Sequence, residues 1–297
     1  MLISDRVDSS SIGLFFQTPL ALAGGTSQQR VASAGHQPSA SSCQRTSTAC
    51  FNRTSNSDVD RDIASPYPQG RNSVFLFGGT LSPADLLYLD EILTAHGLDG
   101  SIMAGVDHLP NEHRLPMPIG MARTDEFFQT LTRLGSSPTR PRFKRERERL
   151  VMRLAGTDMG LNHRRVGVHG HDIDFVVGIV SLLLEAGMLP VLCASCGDAD
   201  RLRRCLELTT PELPARTPVV QALQLSDLLD QIPAARPDVL IASRDASCTA
   251  QCLGIPLVCA GRSSRGHSGG ERIVQIGYLG ALQLLDRLQM ALHASSN

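Results

Sequence analysis

The chain of 297 residues carries 28 Lys and Arg against 29 Asp and Glu, a formal net charge of −1, so no global field draws it to nucleic acid or to an anionic membrane. Trp is absent and aromatic residues make up only 4%, which argues against a stacking platform for single-stranded nucleic acid. No stretch approaches the ~18 consecutive apolar residues of a membrane-spanning helix, while the length suffices for a sizeable core in one or two domains.

In chain order, the first segment has a weak apolar patch from Ile12 to Ala23. Asp5 and Asp8 precede it and Pro19 interrupts it, so it does not read as a secretory signal. Residues 1–72 then run through Ser, Thr, Gln and Asn with little apolar periodicity, as in SAGHQPSASSCQRTSTACFNRTSNSD. Such a segment buries too little to offset the entropy of ordering, and it reads as a disordered or degenerate tail. Of the eight Cys, Cys43 and Cys50 lie in this tail and the rest between positions 193 and 259. That spread is unlike a small disulfide scaffold and suits reduced thiols in a cytoplasmic protein.

Residues 73–162 form the first α/β stretch. SVFLFGG reads as a strand ending in glycines, and SPADLLYLDEILTAHG as a helix capped by Ser82, with Pro83 at its first position and Gly97 as its stop. Leu86, Leu89, Ile92 and Leu93 supply its inward stripe. SIMAG is a second strand. The alternation then lapses in DHLPNEHRLPMPIG, where Pro110, Pro116 and Pro118 forbid a helix. From Thr124, DEFFQTLTRLG predicts a helix burying Phe127, Phe128, Leu131 and Leu134. The basic run PRFKRERERLVMRL reads as a solvated helix face with Glu–Arg pairs at helical spacing rather than as an anion-binding surface.

Residues 163–297 form the second. RVGVHG, LPVLCAS, PVVQAL, DVLIAS and PLVCAG are strands, with helices between them near 172–187, 198–208, 225–233 and 246–253 and a last helix near 275–294. Regular alternation of this kind predicts α/β architecture with doubly wound parallel sheets, complete in this carboxyl-terminal domain and shortened in the one before it.

In open parallel sheets ligands bind beyond the carboxyl ends of the strands. The first strand here ends in HGHDID, offering His169, His171, Asp172 and Asp174, residue types that suit zinc or iron, with Asp172 placed to cap the next helix. The second ends in Cys193-Ala-Ser-Cys196, a C-x-x-C pair open to redox or ligand roles, although Cys193 sits within an apolar strand. His169, His171, Cys193 and Cys196 are thus the metal candidates. Cys248 and Cys252 share a helix face and, with Cys259, read as core packing. The loop GRSSRGHSGGER brings Arg262, Arg265, His267 and Arg272 together as a candidate site for an anion, a cluster or a partner subunit. No G-x-G-x-x-G, P-loop or G-x-S-x-G occurs, which sets nicotinamide, nucleoside triphosphate and serine-hydrolase chemistry aside.

Several phrases in order, GGTLSPADLLYLDEILTAHGL, LPMPIGMARTDEFFQTL, RVGVHGHDIDFVVGIVSLLLEAGMLPVLCAS, PDVLIASRDASCTAQCLGIPLVCAG and GGERIVQIGYLGALQLLDRL, resemble the carboxyl half of the nitrogenase component 1 family. The likeness is to β-type chains, those of the molybdenum–iron protein and of its relative in cofactor assembly, and runs from about Ser73 to Leu292. It implies successive α/β domains, pairing with an α-type chain, transient docking of an iron protein that delivers electrons, and an iron–sulfur cluster shared at the junction. Three departures stand beside it. Nothing in residues 1–72 matches the family's cluster-ligand domain, and the segment between Val106-Asp107 and Leu115–Gly120 is short. The loop after the fifth strand has become GRSSRGHSGGER, with Gly261 near where α-type chains carry a cofactor-ligating His. No catalytic residue carries over.

The sequence therefore supports a β-like oxidoreductase subunit for nitrogen fixation first, acting in electron transfer or cofactor assembly. A truncated, non-catalytic relative that binds a partner or ligand comes second. An unrelated metal enzyme using His169, His171 and Asp174 comes third.

Overall fold

The computed structural model describes residues 73–105, 115–135, 137–156, 160–261 and 273–294. The tail with Cys43 and Cys50 and the Arg262–Arg272 loop lie outside these residues.

Strand and helix alternate as the spacing predicts. Strand β1 (Ser73–Phe77) leads into α1 (Pro83–Ala95) and β2 (Gly100–Ala104). The two strands pair in parallel, and Leu115 continues the sheet through a bridge to Phe77. Helix α1 begins in a capping box, with the Ser82 hydroxyl accepting from the Asp85 N–H and Asp85 accepting from the Ser82 N–H. Its Leu86 is only partly buried; Leu89, Ile92 and Leu93 go inside. Helices α2 (Met121–Leu134) and α3 (Pro141–Ala155) follow. Helix α2 starts at Met121, earlier than its apolar periodicity, and Leu134 is half-buried rather than buried because it lies at the helix's last position.

The second sheet has five strands: β3 (Arg165–Gly170), β4 (Leu189–Ser195), β5 (Val219–Gln221), β6 (Val239–Ala242) and β7 (Leu257–Cys259). All are parallel, in the order β5-β4-β3-β6-β7. The chain thus starts in the middle, works to one edge and then crosses β3 to build the other. The β3–β4 pairing slips by a residue beside Pro190, which has no N–H to donate.

Successive side chains point to opposite faces, and each face has its own cover. Val166, Val168, Cys193, Val239 and Ile241 meet α4 (Ile173–Glu185), α5 (Ala199–Thr209) and α8 (Gly277–Ala294) in one apolar cluster. Leu192, Ala194, Leu240 and Ala242 meet a second cluster. It is made by a 3-10 turn (Leu225–Leu228), α6 (Gln231–Ala235) and α7 (Ser247–Leu253). The helix expected over 225–233 is therefore two short pieces, separated at residues 229–230, with Pro233 in the first turn of the second, where it has no N–H to return to Leu229.

The first cluster is continuous with the core of the two-stranded sheet. Phe127, Phe128 and Phe143 join Phe77, Tyr88 and Tyr278 in a chain of ring contacts. Tyr278 of α8 stacks on Phe128 at 5.2 Å. The scarce aromatic residues are concentrated where five elements converge.

The basic helix α3 is bound on several sides. Arg142 pairs with Glu146 one turn on and with Glu91 of α1, Arg147 with Asp125 of α2, and Arg153 with Asp286 of α8. Glu146 is buried and accepts from the Tyr88 hydroxyl at 2.5 Å.

Helix α4 is inward-facing almost all round, and Gly178 lets it approach the 115–119 segment. A Cβ there would lie 2.8 Å from Ile119 Cβ. Alanine ordinarily improves a helix interior over glycine by ~1 kcal/mol. Gly178→Ala should instead lower stability by about 1–3 kcal/mol through overpacking, seen as a lower urea midpoint with unchanged slope.

Candidate functional site

The carboxyl end of β3 lies at the switch point between β4 and β6, where this topology places ligands. His169 and His171 sit there but face different surroundings. His169 is buried, with Nε2 3.1 Å from the Ala222 carbonyl oxygen. A carbonyl only accepts, so Nε2 carries the proton. Burial lowers the His169 pKa from its ordinary value, helped by the nearby His171 and opposed by the Ala222 bond and by Asp227. His171 is exposed, and its Nδ1 lies 3.2 Å from Cys196 Sγ.

The two cysteines of the C-x-x-C pair also diverge. Cys193 is fully buried in the cluster under α4, and burial pushes its thiol up to about 12. Cys196 lies past the end of β4, half-buried, with Sγ also 3.3 Å from the Leu223 carbonyl oxygen. Cys248 and Cys252 are exposed and Cys259 half-buried, so the expectation of core packing fails. Helix α7 turns Ala250, and not its cysteines, toward the sheet.

Asp172 holds the N-cap position of α4 without making the cap bond. Its Oδ2 instead accepts from the Thr80 N–H at 2.9 Å and from the Thr80 hydroxyl at 2.6 Å. Two donors from the β1–α1 loop replace one from its own helix, so Asp172 joins the two sheets' loops. Asp174, in the first turn of α4, is half-buried near Arg123 and apart from the histidines' bonds.

Thr80, Asp85, His171, Asp172, Phe175 and Gly261 line a cleft of about 20 Å³, room for a water molecule or two. Asp85 is its most buried polar residue. Burial raises its pKa against the lowering effect of bonds from Gln275, Ser82 and Ile276. Gly261 has φ of +81° and donates its N–H to the Gln275 side chain. The capping signature Ser-x-x-Asp made Asp85 readable in part. No local signal marked Glu185, which accepts from the N–H groups of Met121 and Ala122 at 2.7 and 2.9 Å and so caps α2 from the far end of α4.

Among the described residues no group of three or more His, Cys, Asp or Glu is arranged to hold a metal ion. An iron–sulfur cluster needs several converging thiolates. With Cys193 inside one core, Cys196 beside His171, and Cys248 and Cys252 on the outer face of α7, the described residues do not fit one. Nor is any helix among them long and apolar enough to cross a membrane.

Fold and switch point define an α/β protein with parallel, doubly wound sheets. The same arrangement recurs in the solved structure described as "Nitrogenase Cp1 at pH 6.5", with TM-score 0.66 and 16% identity over 75% of this chain and 60% of that one. Residues 107–293 match the family described as Nitrogenase component 1 type Oxidoreductase, and the chain belongs to that family. Among similar proteins, the nitrogenase molybdenum-iron protein beta chain of Methanothermobacter thermautotrophicus is 30% identical over 182 residues, 61% of this chain and 39% of that protein. The beta chain of Methanococcus maripaludis is 27% identical over 244 residues, 78% of this chain and 51% of its own length. That of Azotobacter vinelandii is 27% identical over 184 residues, or 59% and 35% respectively. This chain spans roughly a third to a half of the length of these relatives. The likeness to β-type chains read from the sequence therefore holds.

Two measurements test the site's electrostatics. The unfolded chain protonates His169 near its ordinary value of 6.5, whereas the folded chain resists protonation until a lower pH. Between those values the unfolded state binds more protons, so this contribution is full above pH 6.5 and is lost as pH falls toward the folded value. Subtracting the stability profile of His169→Gln from that of the parent should isolate this slope. Asp172→Ala should cost about 1.5–3 kcal/mol, the usual range for hydrogen bonds to a charged group. A double-mutant cycle with Thr80→Ala should show positive coupling between the two.

Proposed function

We propose that this chain acts as the β-like subunit of a nitrogenase component 1-type oxidoreductase, in electron transfer or iron–molybdenum cofactor assembly, beside an α-type chain. The observation that carries this reading is that its relatives across both archaea and bacteria bear the same printed name, molybdenum-iron protein beta chain. On this reading the assembly is cytoplasmic and heteromeric, an iron protein docks transiently, and any iron–sulfur cluster is shared with the partner. Residues 73–162 then correspond to a shortened middle domain and 163–297 to the carboxyl-terminal one.

The chain's own contribution is positional. Buried Asp85 and half-buried Glu185 hold α1, α2 and the start of α8 in register, and the Asp172–Thr80 bonds fix the strand-end loops that line the cleft. No step is assigned to a cluster, since the described residues do not fit one.

The divergence of Cys193 and Cys196 favours a second reading, a non-catalytic relative that binds a partner or a ligand. Anaerobic coexpression with an α-type chain and cluster-assembly machinery separates the two. A heteromer with iron and acid-labile sulfide in fixed ratio is expected of the oxidoreductase subunit. An iron-free heteromer would support the partner-binding relative, and absence of any heteromer would overturn the proposed pairing.

A further inference from the structure

The thiol–imidazole contact past the ends of β3 and β4 has no part in the proposed subunit role, and its chemistry stands independently of it. Cys196 Sγ lies 3.2 Å from His171 Nδ1 and 3.3 Å from the Leu223 carbonyl oxygen. Its backbone is fixed on both sides: the Cys196 N–H donates to the Gly170 carbonyl, and the Cys196 carbonyl accepts from the Gln221 side chain. His171 and Cys196 each follow directly on the neighbouring internal strands β3 and β4, whose pairing brings the two turns side by side.

We propose that Cys196 is the chain's reactive thiol, activated by His171, and a site of mixed-disulfide formation with low-molecular-weight disulfides. The thiol proton passes to Nδ1, leaving a thiolate beside an imidazolium. The thiolate attacks one sulfur of the small disulfide, forming the Cys196–S–S–R bond and breaking the S–S bond of the reagent. The departing thiolate takes the proton from the imidazolium, so the ring returns to its starting state. No electron acceptor beyond the disulfide is consumed.

The surroundings decide how far the pair ionises. From the β3–α4 turn, the Asp172 carboxylate follows His171 in the chain and is engaged by the Thr80 N–H and hydroxyl. From β3, His169 is near His171 but buried, and burial disfavours its charged form. From the 3-10 turn, Asp227 accepts from the N–H groups of Leu223 and Gln224 and acts on His169. Helix α5 starts just after the cysteine, and its positive end favours a thiolate, tempered by the capping carboxylate of Asp198. The Leu223 carbonyl accepts from the Cys196 thiol and so competes with His171 for its single proton.

The other described cysteines provide internal controls. Cys193 is shielded inside the core, whereas Cys248 and Cys252 are more exposed than Cys196 and have no hydrogen-bonded imidazole among the described residues. Exposure alone ranks Cys248 and Cys252 first; activation ranks Cys196 first.

Brief labelling of the full chain with limiting iodoacetamide at pH 6.5, read cysteine by cysteine by peptide mass spectrometry, distinguishes these rankings. Cys196 should label about fivefold faster than Cys248 or Cys252, its larger thiolate fraction outweighing its lower intrinsic nucleophilicity. His171→Gln, at an exposed position that leaves the fold intact, should bring Cys196 down to their rate or below. With oxidised glutathione the adduct should appear at Cys196 first. Labelling of Cys196 no faster than Cys248 at pH 6.5, or a rate unchanged in His171→Gln, would overturn the proposal. A matching circular dichroism melt for the variant confirms that the comparison is between folded chains.

Discussion

The architecture depends on carboxylates that satisfy backbone N–H groups far away in sequence. Asp85 is 2% exposed, a position that would be costly for a carboxylate without donors. It accepts from the Ser82 N–H and hydroxyl with one oxygen and from the Gln275 N–H with the other. One side chain therefore closes the start of α1 and the turn that opens α8. Glu185 does the same for α2, and Asp172 ties the β1–α1 loop to the β3–α4 turn. Apolar surface between the two-stranded unit and the five-stranded sheet fixes proximity but not orientation, which these directional bonds supply together with Arg153–Asp286 and Tyr278–Asp125.

That orientation lets a single aromatic cluster serve elements from both sheets. Tyr278 stacks on Phe128 while its hydroxyl donates to Asp125 at 2.6 Å, and Asp125 also receives both ends of the Arg147 guanidinium. Tyr88 meets Phe143 edge-on while donating to buried Glu146. The basic helix α3 is thus fastened by its charges at its margins and by its rings beneath. The Glu–Arg pairing expected within the helix is present as Arg142–Glu146, and arginines of the helix also pair with acids on α1, α2 and α8, which spacing within the run did not show.

Much of this was legible in the sequence. The strands β3 and β4 match their apolar runs, and the order of phrases carried the family. The continuous apolar run VLIA marked β6 as a strand buried on both faces, but which face each residue takes depends on the crossover past β3, which is not local. What the sequence hid were bonds between distant positions. Asp172 stands where a cap belongs, and only the nearness of Thr80 shows that its side chain is taken elsewhere. HGHDID looks like a ligand cluster because its letters are adjacent, yet strand alternation sends His169 inward while His171 sits in the turn. Cys248 and Cys252 shared a helix face as their spacing required, but the short α7 presents that face outward. Spacing tells which residues lie together; it does not tell which side the partner occupies.

The last helix has a consequence for how the chain is made. Helix α8 and the turn before it supply the Tyr278 ring, the Gln275 N–H for Asp85 and the Asp286 partner of Arg153, and the Gly277 N–H donates to the Pro118 carbonyl. All four bonds reach back more than a hundred positions, so on a ribosome the first sheet emerges long before the element that completes its core. The growing chain carries Phe128 and Tyr88 with part of their cover missing, and the apolar surface is closed late.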